Sequence, residues 1–87
     1  MIYEIKIKRS AQKSLAKIPL NCQDNIIGSI RRLSNEPRPE GCKKLSGRDA
    51  WRIRIGQYRV LYEIHNTELQ IMVVKIGHRG EVYKQKS

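Results

Sequence analysis

Apolar and polar residues alternate from the start of the chain. In Met1-Ile2-Tyr3-Glu4-Ile5-Lys6-Ile7-Lys8, Tyr3, Ile5 and Ile7 share one face and Glu4, Lys6 and Lys8 the other. A period of two predicts a half-buried strand. The spacing then lengthens. Ser10 suits the N-cap of a short helix over Ala11 to Ile18, which Pro19 ends. Asn21 is placed to cap a second helix, with Asp24 in its first turn where a negative charge suits the helix dipole. Cys22, Ile26, Ile30 and Leu33 recur at helical spacing and form one apolar stripe, with Ile27 beside it. The run Glu36-Pro37-Arg38-Pro39-Glu40-Gly41 stops this helix.

The second half returns to period two. Cys42 to Leu45 is short enough for an edge strand, and Ser46-Gly47-Arg48-Asp49 carries turn chemistry. Trp51-Arg52-Ile53-Arg54-Ile55 alternates strictly, with both arginines outward. Gly56-Gln57 fits a two-residue type II′ hairpin loop, after which Tyr58, Val60, Tyr62 and Ile64 turn inward. Asn66-Thr67 marks another turn. Leu69 to Ile76 is apolar on both faces apart from Gln70 and Lys75, the pattern of a central strand. The expected fold is a single α+β domain over residues 1–87. An N-terminal strand and helical hairpin pack on a mainly antiparallel sheet of three to five strands.

Composition narrows the function. No apolar run is long enough to span a membrane, and the alternating N-terminus lacks the apolar core of a signal peptide. Cys22 and Cys42 are too few for a disulfide scaffold and lack zinc-ligand spacing. An intracellular, reduced, cytoplasmic protein is expected. Eight scattered carboxylates offer no metal cage, there is no glycine-rich phosphate loop, and no cofactor is expected. The 87 residues carry 18 Lys+Arg against 8 Asp+Glu, a formal charge of +10. Half of that excess lies in residues 43–59, where six basic residues (Lys43, Lys44, Arg48, Arg52, Arg54, Arg59) meet only Asp49. Such a concentration points to a polyanionic partner, most often nucleic acid, with Lys43, Lys44 and Arg48 as candidate binding residues.

The hairpin sharpens this. With Gly56-Gln57 as the loop, Arg54 opposes Arg59, and Arg52 lies two residues along on the same face. Outward arginines are ordinarily the solvated side of a strand. Like charges directly across a strand pair repel, however, and no carboxylate stands close to these three. Guanidinium groups are planar, permanently charged and bidentate, which suits phosphate. His78, Arg79 and Tyr83 add titratable and stacking groups near the end of the last strand.

Three runs carry a family resemblance: Lys44-Leu45-Ser46-Gly47, then Trp51 through Tyr62, then Ile76-Gly77-His78-Arg79 with Val82-Tyr83. They resemble the RelE/ParE superfamily of bacterial toxins, on the RelE side, over nearly the whole chain. The resemblance implies a microbial-ribonuclease-like fold and the toxin of a type II toxin–antitoxin system. Such a toxin is an mRNA interferase that cuts mRNA in the ribosomal A site without a metal. The ribose 2′-OH attacks the adjacent phosphate, leaving a 2′,3′-cyclic phosphate and a 5′-OH. A cognate antitoxin would neutralise it, and its other partners would be ribosome and mRNA rather than membrane.

By the same resemblance, Arg59 and Arg79 match the arginines that stabilise charge on the phosphorane. Tyr83 matches the tyrosine that stacks on or orients the reacting nucleotide. Arg52 and Arg54 stand where the best-known members carry lysines. A guanidinium is a poor proton acceptor, so these two are better charge stabilisers than bases. His78 and Tyr83 are then candidate acids or bases, or the ribosome positions the 2′-OH in line without a strong base. The alternatives are a ParE-like, non-nuclease toxin directed at DNA gyrase, and a non-catalytic basic RNA-binding module.

Overall fold

The hairpin forms in the register that its alternation predicts: Ile55 opposes Tyr58, Arg54 opposes Arg59 and Ile53 opposes Val60. Gly56 has φ +61° and Gln57 a negative φ, as a type II′ loop requires. The computed structural model describes residues 2–47 and 49–78. The element order is β1 (Glu4–Ile7), α1 (Arg9–Ala16), α2 (Leu20–Arg32), β2 (Lys43–Lys44), β3 (Trp51–Ile55), β4 (Tyr58–His65) and β5 (Gln70–His78). The five strands make one sheet in the order β1-β5-β4-β3-β2. All neighbours are antiparallel except β1 and β5, which run parallel. This is the expected α+β fold. No helix among the described residues is long and apolar enough to cross a membrane.

Both helices cover one face of the sheet. The core joins Ala11 and Ile18 with Ile26, Ile30 and Leu33 from the predicted stripe of α2. From the sheet it takes Ile53, Val60, Tyr62, Ile71, Val73 and Ile76. Cys22 and Cys42 are free thiols at its margin. The Tyr62 side chain is fully buried, and its hydroxyl donates to the Pro37 carbonyl at 2.6 Å, tying the proline loop to the sheet. Burial pushes this phenol well above the usual tyrosine range; Cys42 pushes the same way and Arg38 opposes. Arg38 also stacks on the Trp51 ring at 5.1 Å.

The helix starts differ from the cap-based expectation. α1 begins at Arg9, with Lys8 as its uncapped N-cap residue. The Lys8 N–H still donates to Val73 O, and the Lys8 carbonyl already accepts from Gln12 N–H. Pairing with β5 therefore fixes where the helix starts, and Ser10 falls inside it. Pro19, rather than Asn21, occupies the N-cap of α2, with its carbonyl accepting from the N–H groups of Cys22 and Gln23. Its ring-fixed φ of −54° makes the corner between the helices in very few residues.

β5 runs on to His78 because Gly77 and His78 still pair with β4. The preceding turn takes four residues, 66–69, and ends on Leu69 at φ +53°, the left-handed region that a branched side chain enters only under strain. Along β4 and β5 the register slips once. Leu61 faces Lys75 while Tyr62 faces Val73, so β5 carries one extra residue, Val74, in a β-bulge.

Two outcomes test this packing. Tyr62→Phe leaves the Pro37 carbonyl without its donor and lowers the unfolding free energy by about 1–2 kcal/mol in denaturant titrations. Because its pKa is raised on folding, the contribution of Tyr62 to stability is level below pH about 10 and falls above it, where only the unfolded chain's phenol ionises; Tyr62→Phe removes that part of the alkaline loss. Leu69→Gly relieves the left-handed strain and raises stability by about 1 kcal/mol in the same titration.

Candidate nucleic-acid interface

The sheet face away from the helices is set by strand register. Across one row lie Lys43, Arg52, Leu61 and Lys75, each the direct partner of the next. The neighbouring row holds Arg54, Arg59 and Gly77. In a two-residue hairpin the pair after the closing one is not hydrogen-bonded, so the Arg54 and Arg59 Cα atoms stand about 4.5 Å apart. The predicted like-charge pair is therefore real and close.

Arg59 is the unusual member. Its exposure is only 6%, and it is the one buried charged residue among those described. Its Nε and Nη1 atoms are fully shielded and make no hydrogen bond among the described residues. A guanidinium held this way carries an unmet desolvation cost of several kcal/mol, which an anion bound in bidentate fashion would offset. Its partner on β5 is Gly77, so no side chain stands opposite it in the ladder. Arg54 is exposed and Arg52 half-buried, so the three arginines grade from solvent to interior.

Glu63, on the same face two residues beyond Leu61, pairs with His65 at 3.0 Å. Lys43 shares the arginine face through its pairing with Arg52. Lys44, the next residue, turns to the opposite side of the two-residue edge strand and sits 3.9 Å from Asp49 in an exposed pair of little energetic weight. Arg48, Arg79 and Tyr83 lie outside the described residues.

His78 does not join the cluster. Because Gly77 pairs with Arg59, its successor projects to the helix side, opposite Tyr58. There its ring meets the Tyr58 ring edge-on at 5.5 Å, and Nε2 lies 3.1 Å from Gln57 Oε1. This alternation sets the His78 ring on the face opposite the arginines. Conversely, Lys75, read in the sequence as an interruption of an apolar strand, belongs to the arginine face. Only the bulge puts it there, and a bulge leaves no mark in a single strand's pattern.

Comparison with known proteins agrees with this architecture. The family model described as ParE toxin of the type II toxin–antitoxin system parDE matches residues 5–83. Toxin RelG of Mycobacterium tuberculosis is 26% identical over 89 residues, covering 98% of this chain and 100% of its own. The putative toxin RelE1 of Methanocaldococcus jannaschii is 30% identical over 88 residues, covering 97% and 98%. Among solved structures, the archaeal RelE–RelB complex from Pyrococcus horikoshii matches with a TM-score of 0.82 at 30% identity, over 92% of this chain and 98% of that one. The RelBE2 toxin–antitoxin complex of M. tuberculosis gives a TM-score of 0.80 at 24% identity, over 91% and 100%, a likeness of fold. The chain thus belongs to the ParE toxin family of type II toxin–antitoxin systems, within the RelE/ParE superfamily.

Proposed function

We propose that this toxin is a metal-independent endoribonuclease that cuts mRNA in the A site of the ribosome and is neutralised by a cognate antitoxin. The observation that carries the reading is the buried Arg59 guanidinium, two of whose nitrogens lack any hydrogen-bond partner among the described residues, facing Arg54 across the hairpin. The substrate's scissile phosphate supplies the missing acceptors. As the 2′-OH attacks phosphorus, negative charge grows on the non-bridging oxygens, and guanidinium groups fixed by a sheet meet it without reorganising. The P–O5′ bond then breaks; the 2′-OH proton is lost and the 5′-oxygen gains one, leaving a 2′,3′-cyclic phosphate and a 5′-OH.

Arg52 and Arg54 act as charge stabilisers, since a guanidinium stays protonated. With His78 on the helix side, proton transfer falls to Tyr83 or to in-line positioning of the 2′-OH by the ribosome. Arg79 joins Arg59 at the phosphate, as the resemblance implies. A charge of +10 suits an acidic antitoxin segment that folds onto the toxin, and the similar RelE of Pyrococcus horikoshii was solved bound to RelB. The toxin acts in the cytoplasm, where its ribosomal target is. The parDE description of the matching family favours a second reading, a non-nuclease toxin that inhibits DNA gyrase.

Primer extension on a reporter mRNA in a reconstituted translation system separates the two. Codon-phased cuts that require ribosomes are expected; intact message together with blocked gyrase supercoiling would overturn the nuclease reading. Arg59→Met should lower the cleavage rate by about 10²–10³-fold. The same change should raise the melting temperature by several degrees, because an unmatched buried charge is replaced by an apolar side chain of similar length.

A further inference from the structure

β5 is an interior strand, with β1 on one side and β4 on the other, and charged residues are rare in such positions. It nevertheless carries Lys75, half-buried and without an ion-pair partner among the described residues. Strict alternation from Ile71 and Val73, both in the core, would turn Lys75 inward against the helices. The extra residue at Val74 reverses that. It turns Lys75 onto the arginine face beside Leu61 and sends Ile76 into the core in its place. Bulges that re-aim one side chain are frequent next to functional sites.

The position Lys75 reaches is specific. It ends the row Lys43–Arg52–Leu61–Lys75, displaced by two residues along the strands from the row that holds Arg54 and Arg59. Two residues of strand span about 6.8 Å. That is the scale on which consecutive phosphates follow one another in a nucleic-acid strand. Leu61, fully buried at the middle of this row, keeps the two lysines at its ends rather than at its centre.

We propose that Lys75, with Lys43 at the other end of its row, holds the phosphate next to the one at Arg54 and Arg59, so that the face binds two consecutive phosphates of single-stranded RNA. This rests on the ribonuclease reading for the identity of the strand, but it concerns binding rather than cleavage. Lys75 is a binding residue here, and it takes no part in proton transfer or in charge stabilisation at the scissile phosphate.

The test is a salt titration of binding to a short single-stranded RNA oligonucleotide, followed by fluorescence anisotropy, for wild type, Lys75→Met and Lys75→Arg. Each phosphate contact to a single strand contributes about 0.7 to the slope of log affinity against log salt. Lys75→Met should lower the slope by about that amount and weaken binding about five- to tenfold at low salt, while Lys75→Arg keeps both. In the translation system Lys75→Met should raise KM with kcat little changed, in contrast to the kcat loss of Arg59→Met. An unaltered slope in Lys75→Met, or no RNA binding by the wild type, overturns the proposal. So does an unaltered slope accompanied by weaker binding to an acidic peptide, which would make Lys75 a contact for a protein partner. Cleavage by the wild type is scored separately, so loss of the ribonuclease reading and loss of this one are distinguishable. A melting curve for Lys75→Met confirms that the variant is folded.

Discussion

One extra residue in β5 decides what each face of the sheet can be. Opposite Leu61 and Tyr62, the strand advances by two positions while β4 advances by one. Upstream of that point Ile71 and Val73 face the helices; downstream it is Ile76, not Lys75, that completes the core. The same slip places Gly77 opposite Arg59 and swings His78 toward Tyr58. Core composition and the make-up of the arginine face are thus two results of one local irregularity. Pairing the same residues without the bulge would bury Lys75 against the helices and set Ile76, not Gly77, opposite Arg59, damaging both together.

The arginine face is held in place by parts that gain nothing from it. A two-residue loop brings Arg54 and Arg59 together, and the alternation of β3 and β4 forces them onto the side opposite the apolar core. Packing of Ile53, Val60 and Tyr62 against the helices supplies the free energy that keeps like charges adjacent. A face of this kind would meet an anion preorganised: the repulsion and desolvation are met when the chain folds, not when a ligand arrives. Tyr62 extends the same support outward by fastening the proline loop through its hydroxyl, so the segment leading into β2 and Lys43 is anchored to the centre of the sheet.

Features governed by neighbours in the chain are legible in the sequence. The alternation of β1, the Gly56-Gln57 hairpin with its register, and the apolar stripe of α2 all rest on local spacing. The Arg52, Arg54 and Arg59 cluster follows directly from that hairpin. Features governed by distant partners are not legible in this way. The start of α1 depends on the Lys8 N–H reaching Val73 O across the sheet, which overrides the capping preference of Ser10. The side to which Lys75 and His78 project depends on a slip measurable only against β4. The depth at which Arg59 lies also escapes a pattern that marks it merely as outward.

The parallel pairing of β1 with β5 bears on when the molecule comes into being. Glu4 lies beside Gln70, 66 positions later, and β5 is also the strand that carries Lys75 and the glycine facing Arg59. Contacts this distant in sequence close slowly, since the intervening loop must be ordered before they form. On an elongating nascent chain β1 has no partner and the core lacks three of its members until β5 has been made. The basic face therefore cannot exist on a growing chain until β5 has been made, however early β3 and β4 have emerged.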